Sequence, residues 1–167
     1  MRDVVRRFLP QLIYGANDGV VTTLAIIAGV VGAGLPTAVI LILGFANLLA
    51  DGVSMGASAV LSARSRIAHR PSLREATPEG LATFLGFLCA GIVPLTAYLL
   101  PWFEGDRFAS AIVLAALTLF IVGSGRALFS DHTWLRAGAE MLVIGTAAAA
   151  IAYGVGLAGA TLVDDLG

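Results

Sequence analysis

The amino-acid sequence predicts an all-α polytopic membrane protein with five transmembrane helices. Three observations predict it. Of 167 residues, 58% are hydrophobic and only 13% charged, whereas a soluble domain is roughly a quarter charged. The chain divides into five apolar segments, each near the length of about 20 residues that crosses a hydrocarbon core of roughly 30 Å. Lysine is absent, and the ten arginines sit at segment ends. A chain in lipid must satisfy its own backbone groups, and the alternating pattern of a barrel is missing, so every span is a helix.

The first helix is expected over residues 8–32. The start, MRDVVRRFLPQLIYGANDG, has the positive flank of a signal peptide, but it runs past the length of an apolar signal core without an A-x-A-like cleavage site. It therefore reads as a retained helix. The hairpin Gly32-Ala33-Gly34-Leu35-Pro36 ends this helix on glycine and opens the second, residues 36–62, on proline. The link 63–79, ARSRIAHRPSLREATPE, is the longest polar run, broken by Pro71 and Pro78, and reads as a short connector. The third helix follows over 80–100, where Pro94 introduces a kink. The fourth spans 108–125 and the fifth 137–160. Little chain is left for a second domain.

Arginine placement sets the orientation, because basic residues near membrane ends stay cytoplasmic. Nine of the ten fall on one side of a five-helix arrangement, and only Arg107 falls on the other. The N-terminus is thus expected in the cytoplasm and the C-terminus, with Asp164 and Asp165, outside. Segregation of charge by side, with a net charge of −1, gives no basic patch for nucleic acid. The single Cys89 permits no disulfide within the chain and is expected to pack. His69 and His132 fall in polar connectors, where solvation accounts for them.

Against this apolar background, two acids stand out. YGANDGVVTT places Asn17 beside Asp18, and LLADGVSMGA repeats the tripeptide Asp-Gly-Val at Asp51. Asp18 lies eleven positions beyond Arg7, roughly 16 Å along the helix, and Asp51 thirteen positions before Arg64, roughly 20 Å. The two helices run in opposite directions, so both acids reach a similar depth near mid-membrane, facing each other within one helix pair or across a dimer interface. An aspartate there costs at least about 2.5–3.5 kcal/mol on insertion scales, and such residues mark ion or proton pathways. Gly15 with Gly19, and Gly52 with Gly56, bracket the acids at four-residue spacing, which allows close helix approach. Packing accounts for either pair alone; their coincidence with both acids points to a site.

Neighbours at helical spacing extend it. Asn47, Asp51 and Met55 form one stripe of the second helix with Ser54 and Ser58 adjacent, while Tyr14, Asp18 and Thr22 form a stripe of the first. Hard cations favour all-oxygen sites, so carboxylate plus thioether leans toward Fe²⁺ or Mn²⁺. The bland reading of Met55 is core filler, and that of Tyr14 is packing. The candidate metal ligands are Asp18, Asp51, Met55 and Asn47, with Asn17, Thr22, Ser54 and Glu140 as secondary candidates. Glu140, four residues after Arg136, reads either as an i, i+4 ion pair or as a first contact for incoming cations. No nucleotide-binding loop, nucleophile triad, zinc spacing or haem signature appears, so the chain is not expected to be an enzyme or to hold a cofactor tightly. An intramembrane aspartyl protease is the enzymatic alternative, but its Tyr-Asp and Gly-x-Gly-Asp motifs are missing. A non-transporting scaffold is the third reading, and mid-membrane acids count against it.

YGANDGVVTTLAIIAGVVGAG, ADGVSMGASAVLSARS, GIVPLTAYLL and GAEMLVIGTAAAAIAYGVG resemble, in order and spacing, the first, second, third and fifth helices of the vacuolar iron transporter family. The resemblance spans nearly the whole chain and is most specific at the Asp-Gly of the first helix and the Ser-Met-Gly of the second. It implies a five-helix protomer that works as a homodimer, exporting Fe²⁺ or Mn²⁺ from the cytosol in exchange for protons. By position, Asp18 and Met55 look like family residues lining the path near the dimer axis. Asn47 stands where members often carry glutamate, and here the acid comes one turn later, at Asp51. Plant and yeast-type members carry a glutamate-rich metal-binding insertion between the second and third helices; this chain has seventeen connector residues with only Glu75 and Glu79. The resemblance is thus to the short bacterial and nodulin-like branch, which implies a bacterial inner membrane as the location.

Overall fold

The structure, a computed structural model, describes residues 2–66, 71–103, 105–129, 131 and 133–166, without the side chains at 2–7 and 166. His69 and His132 lie outside the described residues. Five helices form the fold: α1 (Arg2–Gly32), α2 (Thr37–Arg64), α3 (Leu73–Leu99), α4 (Arg107–Gly125) and α5 (Trp134–Leu166), with a single 3₁₀ turn at Arg126–Leu128. Among the described residues all five are long and apolar enough to cross a membrane, making this an all-α, five-span membrane protein.

Local chemistry sets the helix ends. α1 stops in a Schellman motif: Leu35 N–H donates to Val30 O and Gly34 N–H to Val31 O, both at 3.0 Å, with Gly34 at φ 65°. That left-handed conformation suits glycine. α4 starts at Asp106, whose Oδ1 accepts from Phe108 N–H at 2.9 Å and Ala109 N–H at 3.1 Å.

α3 begins at Leu73, seven residues before the expected start at 80. The reason is a capping box: Ser72 Oγ accepts from Glu75 N–H at 3.4 Å, and Glu75 Oε2 accepts from Ser72 N–H at 2.8 Å. Together these satisfy two amides that a bare helix start would leave open. Pro78, read as a breaker, is carried inside the helix, as is Pro94. The link between α2 and α3 is accordingly residues 65–72. α1 likewise runs six residues ahead of position 8, and α5 extends from Trp134 past the expected end at 160.

α1 and α3 form the centre: 56% of each apolar span is buried, against 22% for α2 and α4 and 11% for α5. Glycines permit this. A Cβ on Gly15 or Gly19 would overlap the main-chain carbonyls of Thr83 or Phe87, and one on Gly86 would overlap that of Leu12. α2 uses its own pair against the same helix, Gly52 under the Phe84 ring and Gly56 against Gly80 O. Both glycine pairs therefore dock on α3. Phe87, Leu48, Ile27, Ile40 and Leu95 fill the core between them. Cys89, expected to pack, is exposed on α3.

Candidate metal path

Because α1 and α2 both lean on α3, their polar stripes come to one side of it. Asp18 and Asn17 are half-buried on α1, and Asn47, Asp51 and Met55 are half-buried on α2 at successive turns. Asp18 lies within the field of Asp51, so the two carboxylates repel. Among the described residues neither forms a salt bridge; the ion pairs are Arg66–Glu79, Arg126–Glu140 and Arg136–Glu140. Two acids at mid-span with no salt-bridge partner among the described residues are costly unless they are protonated or balanced by a cation.

The surrounding amides are unusual for an apolar span. Asn17 Oδ1 and Asn47 Nδ2 are both buried with no hydrogen-bond partner among the described residues. Thr22 is committed differently: its hydroxyl donates to Asp18 O at 2.9 Å and lies 3.3 Å from Gly19 O. It can offer a cation only its remaining lone pairs. Ser54 is exposed on the same flank of α2.

A cavity of about 590 Å³ opens between the start of α1, the end of α2 and the start of α3. Gln11, Tyr14, Met55, Ser58, Arg66 and Glu79 are among its lining residues. Asp18 is one turn deeper than Tyr14 and Asp51 one turn deeper than Met55, so the inner wall of the cavity stands roughly 6 Å of helix rise from both acids. Met55 serves two surfaces, since it also packs against the core cluster of Leu48 and Phe87. Glu140 is elsewhere, held by Arg136 at 3.3 Å and Arg126 at 4.0 Å near the junction of α4 and α5.

Among the described residues no three His, Cys, Asp or Glu side chains gather closely enough to hold a metal by themselves. The polar side chains on this side of α3 are two carboxylates, a thioether and two side-chain amides. Sequence reasoning passed over Glu79, which was assigned to the connector; it is buried and paired with Arg66 at 3.2 Å. The signal that could have found it is the Ser72-x-x-Glu75 capping box, which starts the helix early enough to place Glu79 on the inner face one turn above Thr83.

The chain matches the VIT family over residues 9–79 and 66–157, two stretches that overlap at the α2–α3 junction and together take in most of all five helices. It belongs to the VIT family. A vacuolar iron transporter of Toxoplasma gondii is 25% identical over 222 positions, covering 89% of this chain and 73% of that protein. Vacuolar iron transporter 1 of Tulipa gesneriana is 22% identical, covering 90% and 85%. Vacuolar iron transporter homolog 4 of Arabidopsis thaliana is 26% identical, covering 89% and 82%. The same 89% of the chain takes 222 aligned positions against the Toxoplasma protein and 164 against homolog 4. Within the VIT family, then, its spacing is closer to that of homolog 4.

Proposed function

We propose that this VIT-family chain is a membrane transporter that exports Fe²⁺ or Mn²⁺ from the cytosol in exchange for protons. The observation that carries the reading is the pair Asp18 and Asp51, two half-buried carboxylates in each other's field with no salt-bridge partner among the described residues, one turn beyond a cavity. An acid in a low-dielectric span is stable either protonated or holding a cation, so removing the metal calls in protons and binding it expels them. The arginine-rich end, where the cavity lies, is the cytosolic side by the distribution of basic residues. The relatives named above as iron transporters support iron as a cargo. The working unit is a homodimer: a second copy across the exposed polar flank of α2 supplies the ligands that one protomer lacks. The location is a cell membrane, with lipid around α4 and α5, and no nucleic acid or resident cofactor takes part.

Liposomes carrying the protein, loaded with a pH dye and a metal-quenched dye, test this. With no imposed gradient, Mn²⁺ or reduced Fe²⁺ added outside should enter while protons leave. An acid interior should accelerate metal entry, because protons at high activity reload the acids that have released metal inside. Acidifying the outside instead should slow entry, because protons then compete at loading. Asp51→Asn should weaken the acceleration more than it weakens binding, since an amide offers an oxygen but carries no exchangeable proton. Metal flux indifferent to pH on both sides would mean a channel, and no flux at all would remove the reading.

Met55 gives a separate expectation. Met55→Leu roughly keeps the volume and removes the sulfur. Fe²⁺ uptake measured in competition with Mg²⁺ should lose selectivity, on the order of several-fold, because the softer ligand is gone. An unchanged ratio would assign Met55 to packing alone.

A further inference from the structure

α5 changes partners along its length. At the arginine-rich end it packs on α4: a Cβ on Gly138 would meet Phe120 and Ser124, one on Gly123 would meet Met141, and one on Gly145 would meet Leu119. Toward the other end it packs on α1, where Gly156 lies on the Gly29 carbonyl and Gly32 on that of Tyr153. Between these two sets of contacts a cleft of about 420 Å³ is left among α4, α5 and α1. Ala116 on α4 and Ala150 on α5 are too short to fill it. Its rim at Ile112, Ala150 and Tyr153 is exposed and its floor at Ala28 and Leu119 is buried, so it opens sideways from spans long and apolar enough to sit in lipid.

The dimensions and chemistry of the cleft select an occupant. Along α4 it runs from Phe108 to Leu119, eleven positions or roughly 16 Å, which is about half of a hydrocarbon core of roughly 30 Å. At roughly 30 Å³ for a group the size of a water molecule, 420 Å³ takes about fourteen methylenes, the scale of one acyl chain. A helix with its side chains, about 10–12 Å across, would need roughly three times that volume over the same length. Water is disfavoured, because the polar side chains of the lining are Thr146 and Tyr153, seven positions or roughly 10 Å apart, and a held water needs at least two partners together. The cleft ends where Phe108 stacks on Tyr153, with centroids 6.2 Å apart and planes at 21°. Arg107 directly precedes Phe108, is exposed, and is the one arginine of the sequence at that end of the spans. Asp106 beside it is turned to the helix start, its Oδ1 accepting from Phe108 N–H and Ala109 N–H. A guanidinium therefore stands at the level of the phosphate of a lipid whose chain enters the cleft.

We propose that the α4–α5 cleft is a binding site for one anionic phospholipid of the leaflet opposite the arginine-rich end, with an acyl chain along Phe108–Leu119 and the phosphate on Arg107. The chain supplies the dispersion contacts that the alanines leave unmade, and it braces α5, the least buried of the five helices, against α1 and α4. The site is separate from Asp18 and Asp51 and stands whether or not the transport reading does.

The test is lipid retention by the full-length protein, taken from bilayers of equal parts phosphatidylglycerol and phosphatidylcholine into detergent and weighed by native mass spectrometry. The wild type should keep one phospholipid per protomer, with phosphatidylglycerol favoured about threefold. Ala150→Phe, which fills the cleft from its exposed rim, should lose that lipid, and so should Ala116→Leu from the α4 side. Ile151→Phe, an equally exposed position outside the cleft, should keep it. Arg107→Gln should keep a lipid but lose the preference for phosphatidylglycerol. Melting gives an independent reading: phosphatidylglycerol added to delipidated protein should raise the melting temperature of the wild type by several degrees and leave that of Ala150→Phe unmoved. A wild type that retains no lipid, or filled variants that retain as much as the wild type, would overturn the proposal. An unchanged preference in Arg107→Gln would refute the placement of the phosphate. Loss of self-association in Ala150→Phe with lipid retention unchanged would make the cleft a contact between copies and would also overturn it.

Discussion

Asp18→Asn is expected to reduce Mn²⁺ and Fe²⁺ uptake at least about a hundredfold while leaving the protein as stable as the wild type or more so. The two halves of that result have one cause. Asp18 is half-buried in a transmembrane helix and feels the charge of Asp51, so the carboxylate carries an insertion cost of about 2.5–3.5 kcal/mol that the isosteric amide largely removes. Shape and packing change little, because Gly15 and Gly19, which hold α1 on α3, are untouched. A cation, however, loses one of only two formal negative charges at mid-span. Thermal unfolding in detergent and uptake in liposomes should therefore move in opposite directions. Transport at the wild-type rate would end the assignment of Asp18. A loss of transport accompanied by unfolding would mean that the residue serves the fold.

Gly19→Val should have the largest effect on the fold. A Cβ there would overlap the Phe87 carbonyl, and that atom belongs to the main chain of the other central helix, so no rotamer change can make room. α1 and α3 would have to part, with a destabilisation of about 3 kcal/mol or more, at or beyond the upper range for overpacking. Gly52→Ala should be milder, since the atom it meets is the Phe84 ring at 3.1 Å, which can shift. Gly154→Ala is the control: nothing lies within 4 Å of the added methyl, and the loss of a helix-interior glycine is neutral to slightly stabilising. Melting temperatures of the three variants should rank in that order. A Gly19→Val protein that melts with the wild type would contradict the central α1–α3 contact.

The proposed path is coupled to this packing. Asp18 sits beside Gly19 and Asp51 beside Gly52, so the glycines that bring α1 and α2 onto α3 also determine the separation of the two acids. A helix shift at either contact would change the spacing of Asp18 and Asp51, and with it the proposed cation site, without altering either side chain.

The five spans, the hairpin at Gly34 and the presence of two acids, Asp18 and Asp51, inside the spans were legible in the sequence. Lipid leaves a chain few options: apolar segments of that length must be helices, and a charge among them has no neutral explanation. The start of α3 was misplaced because Pro78 was weighed as a breaker, while the Ser72–Glu75 capping box, visible in the sequence, was not weighed at all. Other features were decided only by the tertiary structure. Nothing in the apolar pattern says that α1 and α3 are central and α5 peripheral, because lipid is as apolar as a protein core and a membrane helix need not reserve its apolar residues for one inward face. Nor could the sequence show that both glycine pairs use α3, which is what gathers Asp18, Asp51 and Met55 on one side of it. Glu79 makes the same point: in the sequence it is one acid in a polar link, and in the structure it is buried beside Arg66 where Gly80 brings α3 against Gly56 of α2. Burial of a polar group is a property of its neighbours, and those neighbours come from another helix.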